Sequence, residues 1–314
     1  MMGGQILITP RSLTALGVET SEALAPLRAA GLTLVSGPIG RQPTHIELLD
    51  LVPGCVGWIA GVERIDASIL EAATDLRVIS RYGVGTDAVD LAAARRHNII
   101  VERTVGANAD SVAELALLHI LSGLRQVTPS ARALAEGRWE RSEGHELPES
   151  VVGIIGLGAV GSAVARLVTA LGGTVVGHDP YVDPAALDGD PIQLVGLNEL
   201  VATSQVVTLH CPAPPAGGPL IDRSLIDRMR PNTVLINTAR SSLVDEAAVL
   251  DGLNSGRLGY YAVDAYGVEP PEPSPLLAHP RVVATAHLGA FTHAATRRMA
   301  ELSVSNLLVH LEHQ

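Results

Sequence analysis

The sequence contains no lysine; all 22 of its basic residues are arginine. Chemistry that runs through a lysine amine is therefore excluded, whether a Schiff base to a carbonyl or pyridoxal group or the phosphate contact of a P-loop. Any catalytic cation must be an arginine or a protonated histidine. Cysteine is almost as scarce: Cys55 and Cys211 stand far apart, with no CxxC or His-rich spacing around them. Neither a disulfide framework nor a metal site is expected, and reduced thiols fit a cytoplasmic protein. No apolar run reaches the roughly 18 residues of a membrane-spanning helix. The N-terminal MMGGQILITPR lacks the basic and apolar regions of a secretion signal. Positive charge is in deficit, with 33 acidic residues and a net charge of -11. Nucleic acid and anionic membrane are poor partners for such a chain, because both need a basic face. A small ligand in a locally positive pocket is not excluded.

What is present is apolar and regularly punctuated. The 314 residues are 47% hydrophobic, enough for two domains with substantial cores. Runs that read as strands recur almost throughout: QILIT, LTLVS, GWIAG, LRVIS, IIVER, VVGIIG, TVVGHD, VVTLHC, TVLINT, GYYAVDA and VVATAH. Helical stretches separate them, which predicts right-handed βαβ units, parallel sheets and an α/β fold. Irregular structure is expected at GRWERSEGHELPES (137–150) and VEPPEPSP (268–275). The chain then divides into a first α/β unit to about residue 100, a second over 101–285, and a closing helical tail over 286–314. A long helix is expected from Ser111, because Ser111-Val-Ala-Glu114 has the form of a capping box.

The segment VVGIIGLGAVGSAVARLVTALGGTVVGHD holds Gly156-Leu157-Gly158-Ala159-Val160-Gly161 between a strand and an amphipathic helix. A second strand follows and ends at Asp179-Pro180, about 20 residues on, as a dinucleotide fingerprint requires. Gly156 permits the tight turn, Gly158 the approach of a pyrophosphate, and Gly161 close packing of helix on strand. Asp179 would accept hydrogen bonds from ribose hydroxyls and repel a 2′-phosphate, so NAD is expected over NADP.

Three later segments end strands with polar residues: VLINTAR, closing on Arg240; AVDAYGVE, on Glu269; and RVVATAH, on His287. Reduction of a 2-keto acid needs a cation to hold the substrate carboxylate and an acid to protonate the ketone oxygen. Arg240 suits the first role through its planar fork, and His287 the second through its near-neutral pKa. Glu269 would orient the imidazole and favour its protonated form.

The motifs RYGVGTDAVDLAAARRHNIIV, ADSVAELALLHIL, GIIGLGAVG, VVTLHCPAP, NTARSSLVDE, AVDAYGVEP, SPLL and AHLGA resemble those of the D-isomer-specific 2-hydroxyacid dehydrogenases. The likeness is to the phosphoglycerate dehydrogenase type, in a short form without a C-terminal regulatory domain. It implies a Rossmann cofactor domain (101–285) inserted into a flavodoxin-like substrate domain (1–100 plus 286–314), with an active site in the interdomain cleft and a homodimer. It implies that Arg240, Glu269 and His287 are the catalytic groups. It further implies that the backbone of Val84 and Gly85 holds the substrate carboxylate, with Asn108 nearby, and that Arg81 and Tyr82 flank that turn. Arg81 then either takes a distal anion, as in a phosphoglycerate-like substrate, or is a salt-bridging residue. Val112, His210, Cys211, Pro212, Thr238, Ala239, Asp264 and Gly289 are implied around the nicotinamide and its ribose. A non-catalytic NAD(H)-sensing corepressor of the same fold is the alternative. Departures from the family pattern are Ser241 in place of a glycine, where a positive φ would be strained, Ala286 in place of the proline before His287, and Pro148-Glu149-Ser150 in place of Gly-Lys.

Overall fold

The computed structural model describes residues 3–15, 17–187, 192–214 and 217–312. Its strands, among the described residues, are β1 (Gln5–Ile8), β2 (Thr33–Ser36), β3 (Cys55–Ala60), β4 (Val78–Arg81), β5 (Ile100–Arg103), β6 (Val151–Ile155), β7 (Thr174–His178), β8 (Ile192–Leu194), β9 (Val206–Leu209), β10 (Thr233–Asn237), β11 (Leu258–Val263) and β12 (Val282–Ala284). All strand pairings are parallel. Every apolar run read from the sequence is among them. The addition is β8, three residues with a central glutamine and little burial, too short to show a period. No described helix is long and apolar enough to cross a membrane.

The chain forms two compact units. The first comprises Met1–Asn108 and Thr292–Gln314. Its sheet runs β2-β1-β3-β4-β5. The break expected near residue 100 falls at the start of β5, whose pairing with β4 (Val78↔Ile100) carries this unit through Asn108. Alternate residues of each strand face opposite sides, so Ile6 and Ile8 join one core and Leu7 the other. The first core is closed by the helix His293–Glu312, whose Ala300, Val304, Leu307 and Leu311 form one stripe at helical spacing. Each of the buried valine and leucine side chains contributes about 1.5–3 kcal/mol. The second core gathers Trp58, Ile65, Ile69, Leu70 and Ile79.

The second unit is Ala109–Phe291, with sheet order β12-β11-β10-β9-β6-β7-β8. β9, β10 and β11 are buried along their whole length, because helices cover both faces of a parallel sheet. The strand order reverses beside β6, and open α/β sheets bind ligands at such a switch point, beyond the strand carboxyl ends. The helix Ala109–Leu124 lies close over β10 and β11. A Cβ at its Gly123 would sit 2.5 Å from Val234 Cγ1. The helix begins two residues before Ser111, so Ser111 is not its cap. Its hydroxyl instead donates to Gly289 O at 2.7 Å.

Candidate active site

The glycine turn follows β6. Gly156 has φ +93°, and a Cβ there would lie 2.7 Å from the backbone of His210 and Cys211 at the end of β9. At Gly161 a Cβ would lie 1.9 Å from Gly156 O, so helix and turn approach as closely as glycine allows. Gly158 begins the helix Ala159–Ala170 with no side-chain cap, and a Cβ on it would meet nothing within 4 Å. The helix therefore presents free N–H groups to open space, a site that fits a phosphate. Asp179, just past β7, is tied to the turn: its Oδ2 accepts the Leu157 N–H at 2.8 Å and its Oδ1 the Tyr181 N–H at 2.9 Å. Each oxygen keeps a lone pair for a ribose hydroxyl. Pro180 beside it is exposed.

β10, β11 and β12 are successive neighbours in the same sheet, and their carboxyl ends carry the three polar groups. After β10, the buried Asn237 side chain folds the chain into an Asx turn. Its Oδ1 accepts from Ala239 N and Arg240 N, and its Nδ2 donates to Arg240 O at 2.7 Å. Arg240 is thereby held at the sheet edge, with Nη1 donating to Ala239 O. Ser241 opens a 3-10 turn (Ser241–Leu243) and is not among the positive-φ residues, so no strain arises from its side chain. After β11 and β12, His287 Nδ1 lies 2.6 Å from Glu269 Oε1. The two side chains are 44% and 26% exposed, and Nε2 has no partner among the described residues. The imidazole is thus anchored through one nitrogen and reachable at the other.

The loop bearing His287 is held from beneath by Asp264, which is 1% exposed. Its Oδ1 accepts the Thr285 hydroxyl (2.6 Å) and Leu288 N–H (2.7 Å), and its Oδ2 the Gly289 N–H (2.8 Å). His287 itself has φ +52°, unusual for a non-glycine residue. Tyr266 adds a hydroxyl donated to Thr285 O at 2.8 Å. These bonds fix the loop where Ala286 stands in place of a ring-locked proline. Asp264, expected beside the nicotinamide, thus has all three of these bonds within the protein. Gly289 approaches both Asp264 and Val112, within 3.0 and 3.3 Å of where its Cβ would be. The Thr238 hydroxyl, next to Ala239, is buried with no partner among the described residues. At the end of β9, burial pushes His210 down to about 3 and the Cys211 thiol up to about 11. His210 is then a neutral ring bonded to Thr208 Oγ1 (2.9 Å), and Cys211, with Pro212 following it, is a packing group.

The remaining residues singled out from the sequence belong to the first unit. Arg81 is 5% exposed, with Nε donating to Gly85 O (3.0 Å) and Nη1 to Ala60 O (3.1 Å). These two bonds brace the turn from inside. The Tyr82 hydroxyl donates to Thr296 O at 2.7 Å. Gly83 has φ +147°, and after it the N–H groups of Val84 and Gly85 meet no acceptor among the described residues. Asn108 is half-buried at the unit's last position before the crossing. Asn237 and Tyr266 were not singled out from the sequence; an asparagine directly before TAR is the one available signal, as a turn former.

The family model for the D-isomer specific 2-hydroxyacid dehydrogenase NAD binding domain matches residues 117–289. The chain is 36% identical over 259 residues to D-3-phosphoglycerate dehydrogenase of Mycobacterium bovis, covering 82% of this chain and 49% of that protein. It thus spans about half the length of that relative. Hydroxypyruvate reductase of Thermotoga maritima is 34% identical, with 81% of this chain and 84% of that protein covered. Among solved structures, a Thermus thermophilus protein superposes with a TM-score of 0.85 at 34% identity, over 99% of this chain and 97% of the other. A glyoxylate reductase from Paecilomyes thermophila gives 0.87 at 25% identity, over 99% and 96%. With the glycine turn, the acid that follows it and the Arg–Glu–His trio all at one sheet edge, and with these matches, the chain belongs to the D-isomer specific 2-hydroxyacid dehydrogenase family.

Proposed function

We propose that the protein is an NAD-dependent dehydrogenase acting at C2 of a small D-2-hydroxy acid or the matching 2-keto acid. The observation that carries this reading is the 2.6 Å contact between His287 Nδ1 and Glu269 Oε1, at the same sheet edge as the uncapped glycine turn. NAD, when bound, supplies or accepts the hydride at its nicotinamide ring. The rest is the work of this chain. Glu269 holds Nδ1 and fixes the ring's orientation, so that Nε2 of His287 gives the proton to the ketone oxygen or takes it from the hydroxyl. Arg240 forks onto the substrate carboxylate. On the first unit, the N–H groups of Val84 and Gly85 are donors suited to a carboxylate. The first unit then serves as the substrate domain and the second as the cofactor domain. Relatives named for phosphoglycerate, hydroxypyruvate and glyoxylate support a small acid of this kind.

Asp179 favours NAD over NADP, because a 2′-phosphate would meet its carboxylate. We also propose a cytoplasmic homodimer. Leu118, Leu121, Val127, Leu134 and Trp139 are exposed on the second unit, apolar side chains that a second copy would cover. The test is oxidation of NADH and NADPH with glyoxylate, hydroxypyruvate and pyruvate. Turnover with NADH, at a KM at least about tenfold below that for NADPH, is expected. Tight NADH binding without turnover of any keto acid would instead mark a sensor.

A further inference from the structure

Gly289 follows His287 by two residues, so whatever fixes Gly289 also limits where the histidine can stand. Glycine is the residue freest in both backbone angles. Here the peptide planes on its two sides are each held by a buried bond. On the first plane, the Gly289 N–H donates to Asp264 Oδ2 at 2.8 Å. On the second, Gly289 O accepts the Ser111 hydroxyl at 2.7 Å. The Ala290 N–H of that second plane meets no acceptor among the described residues, which leaves Ser111 as its hydrogen-bonding hold.

Ser111 is 6% exposed and lies in the first turn of the helix Ala109–Leu124. A helical serine commonly bonds a carbonyl in the preceding turn of its own helix. This one gives its single proton to a residue 178 positions away. Val112 beside it comes within 3.3 Å of where a Gly289 Cβ would be, so hydroxyl and valine grip the same residue. The second unit begins at Ala109 and ends at Phe291. The bond therefore ties the segment where the chain enters this unit to the segment where it leaves, and His287 is on the latter. The φ of +52° at His287 is kept by bonds on either side: Thr285 N–H to Val263 O before it, and the two at Gly289 after it.

We propose that Ser111 is a positioning residue for the reaction: through Gly289 O it holds the loop that aims the His287 imidazole at the reacting oxygen. Its effect passes through His287 and not through contact with substrate. Without the hydroxyl, Gly289 O is a buried carbonyl lacking a donor, and its peptide plane turns to find one. The imidazole moves with the loop, and a small misplacement of a proton donor slows the step it serves. This inference rests on the dehydrogenase reading above.

The experiment is a double-mutant cycle of Ser111→Ala, His287→Ala and the pair. It reads kcat and KM for the wild type's best 2-keto acid with NADH, the Kd for NADH by fluorescence, and melting curves. Alone, Ser111→Ala is expected to lower kcat at least about tenfold, with KM and the NADH Kd within about threefold of the wild type. In the His287→Ala background the same change is expected to alter kcat/KM by less than about twofold, because the group it positions is gone. Ser111→Cys keeps the size and a weaker donor; its loss is expected to fall in between, and it replaces Ser111→Ala in the cycle should that variant not fold. An unchanged kcat, a loss confined to NADH affinity, or an equal fold-loss in both backgrounds overturns the role of Ser111 and leaves the dehydrogenase reading standing. Absence of turnover by the wild type with every keto acid removes that reading, and this inference with it.

Discussion

Replacing Asp264 by asparagine probes how His287 is held. The buried carboxylate takes three short bonds, two of them from the backbone N–H groups of Leu288 and Gly289 directly after His287. The left-handed backbone at His287, φ +52°, costs roughly 1–2 kcal/mol. Hydrogen bonds to a charged partner contribute about 1.5–3 kcal/mol each and offset that strain. Asparagine keeps the shape and one acceptor oxygen, but its NH2 faces a donor that then has no partner. A net loss of about 2–4 kcal/mol is expected, from one broken bond and two weakened ones. For a unit of this size that corresponds to a Tm lower by about 5–15 °C. The imidazole also loses its fixed place relative to Glu269, so kcat should fall at least about tenfold, and by more than NADH affinity does. Differential scanning calorimetry, steady-state kinetics and NADH titration read the three quantities. A Tm within about 1 °C of the wild type with kcat unchanged would refute the reasoning, since both follow from the same clamp.

Two further outcomes follow from single contacts. Gly161→Ala places a Cβ 1.9 Å from Gly156 O, which forces the helix off the turn; NADH affinity measured by fluorescence should fall at least about tenfold, and unchanged binding would contradict the turn's role. His210 has a folded-state pKa near 3, below its value of about 6.5 in the unfolded chain. The unfolded chain therefore binds the proton first, and stability is lost as pH falls from about 6.5 toward 3. His210→Gln should show a shallower drop in Tm between neutral and acid pH than the wild type, and parallel curves would show that this ring is not the titrating group.

Continuous apolar runs such as TVLIN and GYYAV announce their strands, because a parallel sheet covered on both faces buries every residue of its central strands. The glycine turn was legible for a similar reason: its constraint is local, and glycine alone meets it. Contacts between distant loops left no such trace. Arg81 is an internal brace only because β3 presents Ala60 O to it, and Ser111 bonds Gly289 across the second unit's sequence rather than capping its own helix. Asp264 could be named as a site residue, yet its grip on the loop 20 or more residues later is a product of folding. The same holds for Ser241, whose expected strain disappears because the chain takes a 3-10 turn there.

The central claim is that His287, anchored on Glu269, carries the proton. It is tested most directly by kcat/KM for the wild type's best 2-keto acid in His287→Ala, with the Kd for NADH measured alongside. A fall of about 100- to 10,000-fold in kcat/KM, with NADH bound as tightly as before, is the predicted result. Turnover within a few-fold of the wild type would mean that the proton comes from another group, and would contradict the account.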